Sequence, residues 1–127
     1  MKECRFFRCD ICGNLTGLIH DSGVRMVCCN QQMTELIPNT VEASKEKHIP
    51  VATVVGNNVK AAVGSVPHPM TEEHHIEWIY LLSEQGGQRK TLKAGDVPEV
   101  TFALTSSDKP LAVYAYCNLH GLWKAAV

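Results

Sequence analysis

Residues 111–123 read LAVYAYCNLHGLW. Successive side chains of a strand point to opposite faces, so Leu111, Val113, Ala115 and Cys117 are expected to share one face. The strand would therefore end on a cysteine, with His120 three residues beyond it. Three further stretches have the same character: VATVV at 51–55, HHIEWIYLL at 74–82 and VTFALTS at 100–106. Turn signals separate them, namely GNN, EQGGQ, KAGDVP and SSDKP. Short β-branched and aromatic runs with such punctuation predict an all-β sandwich or barrel. In the second of these stretches Ile76, Trp78, Tyr80 and Leu82 are expected to lie on one face. No long helical period or internal repeat is present.

The 127 residues carry a formal net charge of −1, which gives no electrostatic case for nucleic acid or a membrane surface. No apolar run approaches the roughly 20 residues of a membrane span. The start, MKECRFFRCD, is charged and lacks the apolar stretch of a signal peptide. The expectation is a cytoplasmic protein, in which six cysteines and six histidines read as metal ligands or redox groups before disulfides.

Those residues are unevenly spread. Cys4, Cys9, Cys12, Cys28 and Cys29 lie in the first 29 positions, whereas His48, His68, His74, His75, Cys117 and His120 lie later. The chain is expected to divide near LIPNT, into a small module over 1–37 and a β domain over 38–127. The first module is turn-rich, and a fold of that size usually needs a metal or disulfides. Cys9 and Cys12 form a CxxC, whose tight turn aims both sulfurs at one point. Cys28 and Cys29 are adjacent, an arrangement that implies a strained site because neighbouring side chains diverge. Spacing alone leaves zinc and iron open, and Cys4 has no assigned role.

In the second module, His68 lies between Pro67 and Pro69 and His48 precedes Ile49-Pro50, so stiff segments carry both. His74 and His75 should face opposite ways, so only one joins a common site easily. His48, His68, His120, Cys117 and one of that pair make a His4Cys set. Imidazole and thiolate suit a first-row transition metal, and five ligands on iron leave one position open.

CDICGN with VCCNQQM, then EKHIPV, GSVPHPMTEEHHIEWI and CNLHGLWKA, occur in the order found in the desulfoferrodoxins, the two-iron superoxide reductases. The chain resembles that family over nearly its whole length. The resemblance implies a desulforedoxin-like Fe(Cys)4 module, with Cys9, Cys12, Cys28 and Cys29 as ligands, and an immunoglobulin-like β-sandwich. It implies a second iron with His48, His68, His74 and His120 in its equatorial plane and Cys117 as axial ligand. Two departures stand out: His75 occupies a position where an aromatic residue is usual, and Glu73 one where lysine is frequent.

The implied activity is one-electron reduction of superoxide to hydrogen peroxide, without release of dioxygen, in defence against oxidative stress. An external donor such as rubredoxin would restore the electron, since no nicotinamide or flavin fingerprint is present. A homodimer is also implied. The resemblance matches Glu46 and Lys47 to the pair before the first histidine ligand. Lys47 would draw in the anion and help protonation, and Glu46 would occupy the open position of the oxidised iron. Read without the family, Lys47 is foremost a solvated surface lysine, and Glu46 is equally a loop carboxylate. An electron-carrying or structural metal protein is a second reading, and a cysteine hydrolase with Cys117 as nucleophile a third.

Overall fold

A computed structural model describes residues 3–127. The chain forms two compact units, Met1–Ile37 and Pro38–Val127. In the first, β1 (Arg5–Arg8) lies between β2 (Leu15–Leu18) and β5 (Thr34–Leu36), and β3 (Val27–Cys28) pairs with β4 (Gln31–Gln32) as a minimal hairpin. Its buried apolar residues are Phe6, Cys9, Met33 and Leu36, too few for a self-sufficient core.

The second unit begins with a single helical turn, α1 (Lys45–His48), followed by seven strands. β6 (Pro50–Val55), β7 (Asn58–Val63) and β10 (Glu99–Ala103) form one antiparallel sheet in the order β10-β7-β6. β8 (Ile76–Ser83), β9 (Gly86–Thr91), β11 (Pro110–Cys117) and β12 (Gly121–Ala126) form the other, in the order β12-β11-β8-β9. Val59, Ala61, Val63 and Phe102 of the first sheet pack against Ile76, Ile79, Leu81, Val113, Ala115 and Cys117 of the second. This is a seven-strand β-sandwich, as the strand pattern predicts. Among the described residues no helix is long and apolar enough to cross a membrane.

The expected faces need correcting at two places. Tyr116 pairs with Trp78 but Cys117 pairs with Ile76, so Glu77 is an extra residue in β8. This β-bulge reverses the alternation: Ile76 joins Ile79 and Leu81 in the core, while Trp78 stacks on Tyr116 with ring centroids 5.6 Å apart. Ile76 therefore does not share a face with Trp78 and Tyr80. A second irregularity, between Pro110 and Ala112, leaves Leu111 out of the ladder and only half-buried, whereas Val113, Ala115 and Cys117 face the core as expected.

Side chains also tie the sheet edges. Lys90 of β9 donates to the Thr101 carbonyl (2.5 Å) and Gln88 to the Ala103 carbonyl (2.9 Å), linking β9 to β10 across the sandwich. Along β12, Asn39 donates to the carbonyls of Leu122 (3.0 Å) and Lys124 (3.0 Å) and accepts the Lys124 N–H (2.9 Å).

Candidate metal centres

Cys9 and Cys12 sit on the turn between β1 and β2. The Cys9 N–H donates to the Asn14 carbonyl (2.8 Å), and the Cys9 carbonyl accepts the Gly13 N–H (3.0 Å). The Cys12 N–H points at the Cys9 sulfur and the Asn14 N–H at the Cys12 sulfur, each at 3.4 Å. Cys28 and Cys29 converge because Cys29 and Asn30 adopt left-handed backbone, with φ of 52° and 61°, in the β3–β4 turn. Consecutive positive φ values mark a tight hairpin turn and are costly for a cysteine. The expected strain of the adjacent pair is thus located in the Cys29 backbone.

The four Sγ atoms lie within 4.8 Å of one another, with Cys12 to Cys28 at 3.6 Å and Cys28 to Cys29 at 4.0 Å. Sulfurs about 2.3 Å from a tetrahedral ion lie roughly 3.8 Å apart, so the spacing fits a metal. Their acidities fit as well. The N–H groups of Cys12 and then Ile11 draw the Cys9 thiol down to about 6. Hydrogen bonding to the Cys12 sulfur foremost pushes Cys28 up, and Cys29 up to about 12. Four thiolates at this distance need a cation among them. Cys4 lies outside the cluster.

The second cluster draws on four segments. His48 ends α1, and its Nδ1–H donates to the Ser44 carbonyl (2.6 Å). His68 follows β7, where its N–H donates to the Val63 carbonyl (2.8 Å) and its Nδ1–H to the Pro69 carbonyl (2.6 Å). With both protons on Nδ1, each Nε2 presents a lone pair, yet the two Nε2 atoms face each other at 3.1 Å. No hydrogen bond joins two lone pairs. Nitrogens about 2.1 Å from one ion and at right angles are roughly 3 Å apart, so a shared cation explains the contact.

His120 Nδ1 stands 3.1 Å from His48 Nε2, and the buried Nε2 of His74 has no protein partner. Ring centroids follow one another at 4.6 Å from His48 to His68, 4.6 Å to His74, 5.0 Å to His120 and 4.9 Å back to His48. The diagonal from His48 to His74 is 6.2 Å. The imidazoles form a square. Cys117 belongs to the apolar core and approaches from that side, its Sγ 3.8 Å from His120 Nδ1. It shares a turn with His120 that closes on Gly121, whose φ of 75° favours glycine.

His74 thus enters the cluster and His75 does not, because the His75 ring turns to the Thr71 carbonyl (Nδ1, 2.9 Å). Burial pushes His48 and His74 down and His68 down to about 4, so all three stay neutral donors near pH 7. The Lys47 charge adds to the downward shift of His48 and His74. Burial raises the Cys117 thiol, while the N–H groups of Leu119 and His120 draw it down. A buried thiol so raised is a poor free nucleophile, which weighs against a hydrolase.

The sequence reading missed the groups that orient the ligands. The Ser44 and Pro69 carbonyls fix two tautomers, and Trp123 packs on His48 with centroids 4.9 Å apart while its indole N–H holds the His120 carbonyl (3.2 Å). The alternating strand pattern puts Trp123 on the inner face, but nothing in it marks a carbonyl.

Fold and donor sets define a β-sandwich metalloprotein with one tetrahedral thiolate centre and one imidazole-thiolate centre. The desulfoferrodoxin family profile matches residues 40–126, and that of the desulfoferrodoxin N-terminal domain matches 2–36. The chain belongs to the desulfoferrodoxin family. It is 44% identical to a desulfoferrodoxin of Syntrophotalea carbinolica over 98% of this chain and 97% of that one. The superoxide reductase structure from Treponema pallidum superposes with a TM-score of 0.83 at 44% identity, covering 98% of this chain and 99% of that one. The one-iron superoxide reductase of Giardia intestinalis matches 65% of this chain and 98% of its own, with a TM-score of 0.55 and 32% identity.

Proposed function

We propose that the chain is a superoxide reductase that joins one electron and two protons to superoxide, giving hydrogen peroxide without releasing dioxygen. The observation that carries this reading is the square of four imidazoles with a buried cysteine on its core side. Iron is the metal of both centres, and at the second it would supply the reducing electron.

His48, His68, His74, His120 and Cys117 would hold the second iron. Cys9, Cys12, Cys28 and Cys29 hold the first iron, in a desulforedoxin-like module over 1–37, and residues 38–127 form the catalytic domain. Carbonyl-anchored imidazoles keep the plane fixed while charge develops. The Cys117 thiolate would raise electron density at that iron and so favour protonation of the reduced substrate.

Lys47 attracts the anion and assists the proton transfer. Glu46 is ionised, its carboxyl held below the usual range chiefly by its own backbone N–H. Lying on the exposed α1 turn, it would serve as a further ligand of the oxidised iron. An external reductant such as rubredoxin returns the electron, and the protein works as a cytoplasmic homodimer in detoxification.

Metal analysis with pulsed superoxide tests the reading. The expected result is two irons per chain, with one hydrogen peroxide formed per superoxide and no dioxygen. Cys117→Ser should abolish turnover and leave the four-cysteine spectrum intact. Zinc in the second centre, or full activity in the serine variant, would overturn it.

A further inference from the structure

We infer that Asn118 is a positioning residue that locks His74 to the strand end bearing Cys117; this rests on the superoxide reductase reading for its functional meaning. Asn118 directly follows Cys117. Its Oδ1 accepts the His75 N–H (2.9 Å), its Nδ2–H donates to the Glu73 carbonyl (2.9 Å), and its own N–H donates to the His75 carbonyl (3.2 Å).

The Glu73 carbonyl belongs to the peptide unit before His74 and the His75 N–H to the unit after it. One carboxamide therefore grips both peptide planes that flank a single ligand. Only a primary amide supplies the donor and the acceptor this requires; aspartate keeps the acceptor alone, and leucine has neither.

His74 depends on this grip more than its neighbours do. His48 and His68 are oriented at the ring, each through a 2.6 Å bond to a carbonyl. Among the described residues neither ring nitrogen of His74 has a hydrogen-bond partner, so its aim is set through the backbone, where Thr71 also holds the residue by accepting its N–H at Oγ1 (3.1 Å) and donating its own N–H to the His74 carbonyl (2.9 Å). That backbone lies just beyond the bulge at Glu77, where the register of β8 against β11 has shifted and the regular ladder is about to end. The Asn118 side chain continues the connection past that point. Rotating either flanking peptide would swing the imaginary line from His74 Cβ through its ring away from the square.

The test uses the iron-loaded full chain and the variants Asn118→Leu and Asn118→Asp. Three readings are taken: the rate of second-centre iron release to a chelator, the ferric visible and paramagnetic spectra of that centre, and hydrogen exchange at the His75 amide. Loss of outer contacts to a metal ligand commonly costs about tenfold or more in metal retention, and release from Asn118→Leu should speed up by that factor. Its ferric band should shift, its His75 amide should exchange faster, and the four-cysteine spectrum should not change.

Asn118→Asp, which keeps the acceptor for the His75 N–H, should protect that amide and fall between parent and leucine variant. If Asn118→Leu does not fold, the aspartate variant decides by the same readings. Parent-like release, spectrum and exchange in both variants would overturn the inference. Failure of the enzymatic reading is distinguishable, because a parent without superoxide turnover still gives decisive release and exchange rates.

Discussion

His74 and His75 are neighbours with opposite fates. One ring completes the imidazole square, and the other turns back to Thr71. His74→Ala is expected to lose the second-centre iron, while His75→Ala retains it; iron counts on the two purified variants check this. Gly64 is a residue of the same importance without any ligand atom. A Cβ there would lie 2.6 Å from the Glu46 carbonyl oxygen and 2.9 Å from that of Ile49. The Glu46 carbonyl already accepts the Val66 N–H (2.9 Å) and the Ser65 hydroxyl (3.2 Å), so the α1 turn cannot simply move away. Gly64→Ala should destabilise the sandwich by about 1–3 kcal/mol, the usual cost of overpacking, as read by denaturant unfolding. It should also slow the reaction with superoxide, because the displaced turn carries Lys47.

At the scale of elements, Asp108 fastens the β10–β11 connection to the β8–β9 hairpin. Its carboxylate accepts the Ser83 hydroxyl (2.7 Å), the Lys109 N–H (2.9 Å) and the Gln85 N–H (3.1 Å). Hydrogen bonding, from Ser83 foremost, holds its pKa below the ordinary 3.8. A group depressed in the folded state contributes stability that is complete above the unfolded pKa and fades as pH falls through the folded one. The stability gap between parent and Asp108→Asn should therefore be constant near neutrality and shrink below about pH 4. Urea midpoints across that range check it. The strands themselves were legible in sequence, because alternation and turn residues act locally. The bulge at Glu77 was not: it depends on which residue of β11 lies opposite, so Ile76 and Trp78 looked alike and parted in three dimensions. The same reason hid the Asn118 clamp, whose partners are 43 and 45 positions away.

In the whole molecule, the two units hold themselves together differently. The sandwich has ten buried residues in one apolar cluster, whereas the first unit has four buried apolar side chains among the described residues, one of them Cys9 of the thiol cluster. Metal binding there substitutes for a core. Cys29→Ser is expected to speed amide exchange across β1, β2 and β5 while β8 and β11 stay protected, a contrast that exchange mass spectrometry resolves. The ligand blocks made the site legible because metals demand particular atoms at particular spacings. The sequence could not show how adjacent cysteines converge, since that rests on left-handed backbone at Cys29 and Asn30.

The ties along β9, β10 and β12 bear on how such molecules behave when crowded. An exposed strand edge is a template on which a foreign strand can grow. Lys90 and Gln88 occupy carbonyls of β10 while anchoring β9, and Asn39 takes up both a donor and acceptors of β12. Two of the four sandwich edges, β10 and β12, are thereby made poorer seeds for sheet extension, which favours a fold built almost entirely of strands remaining dispersed at high concentration.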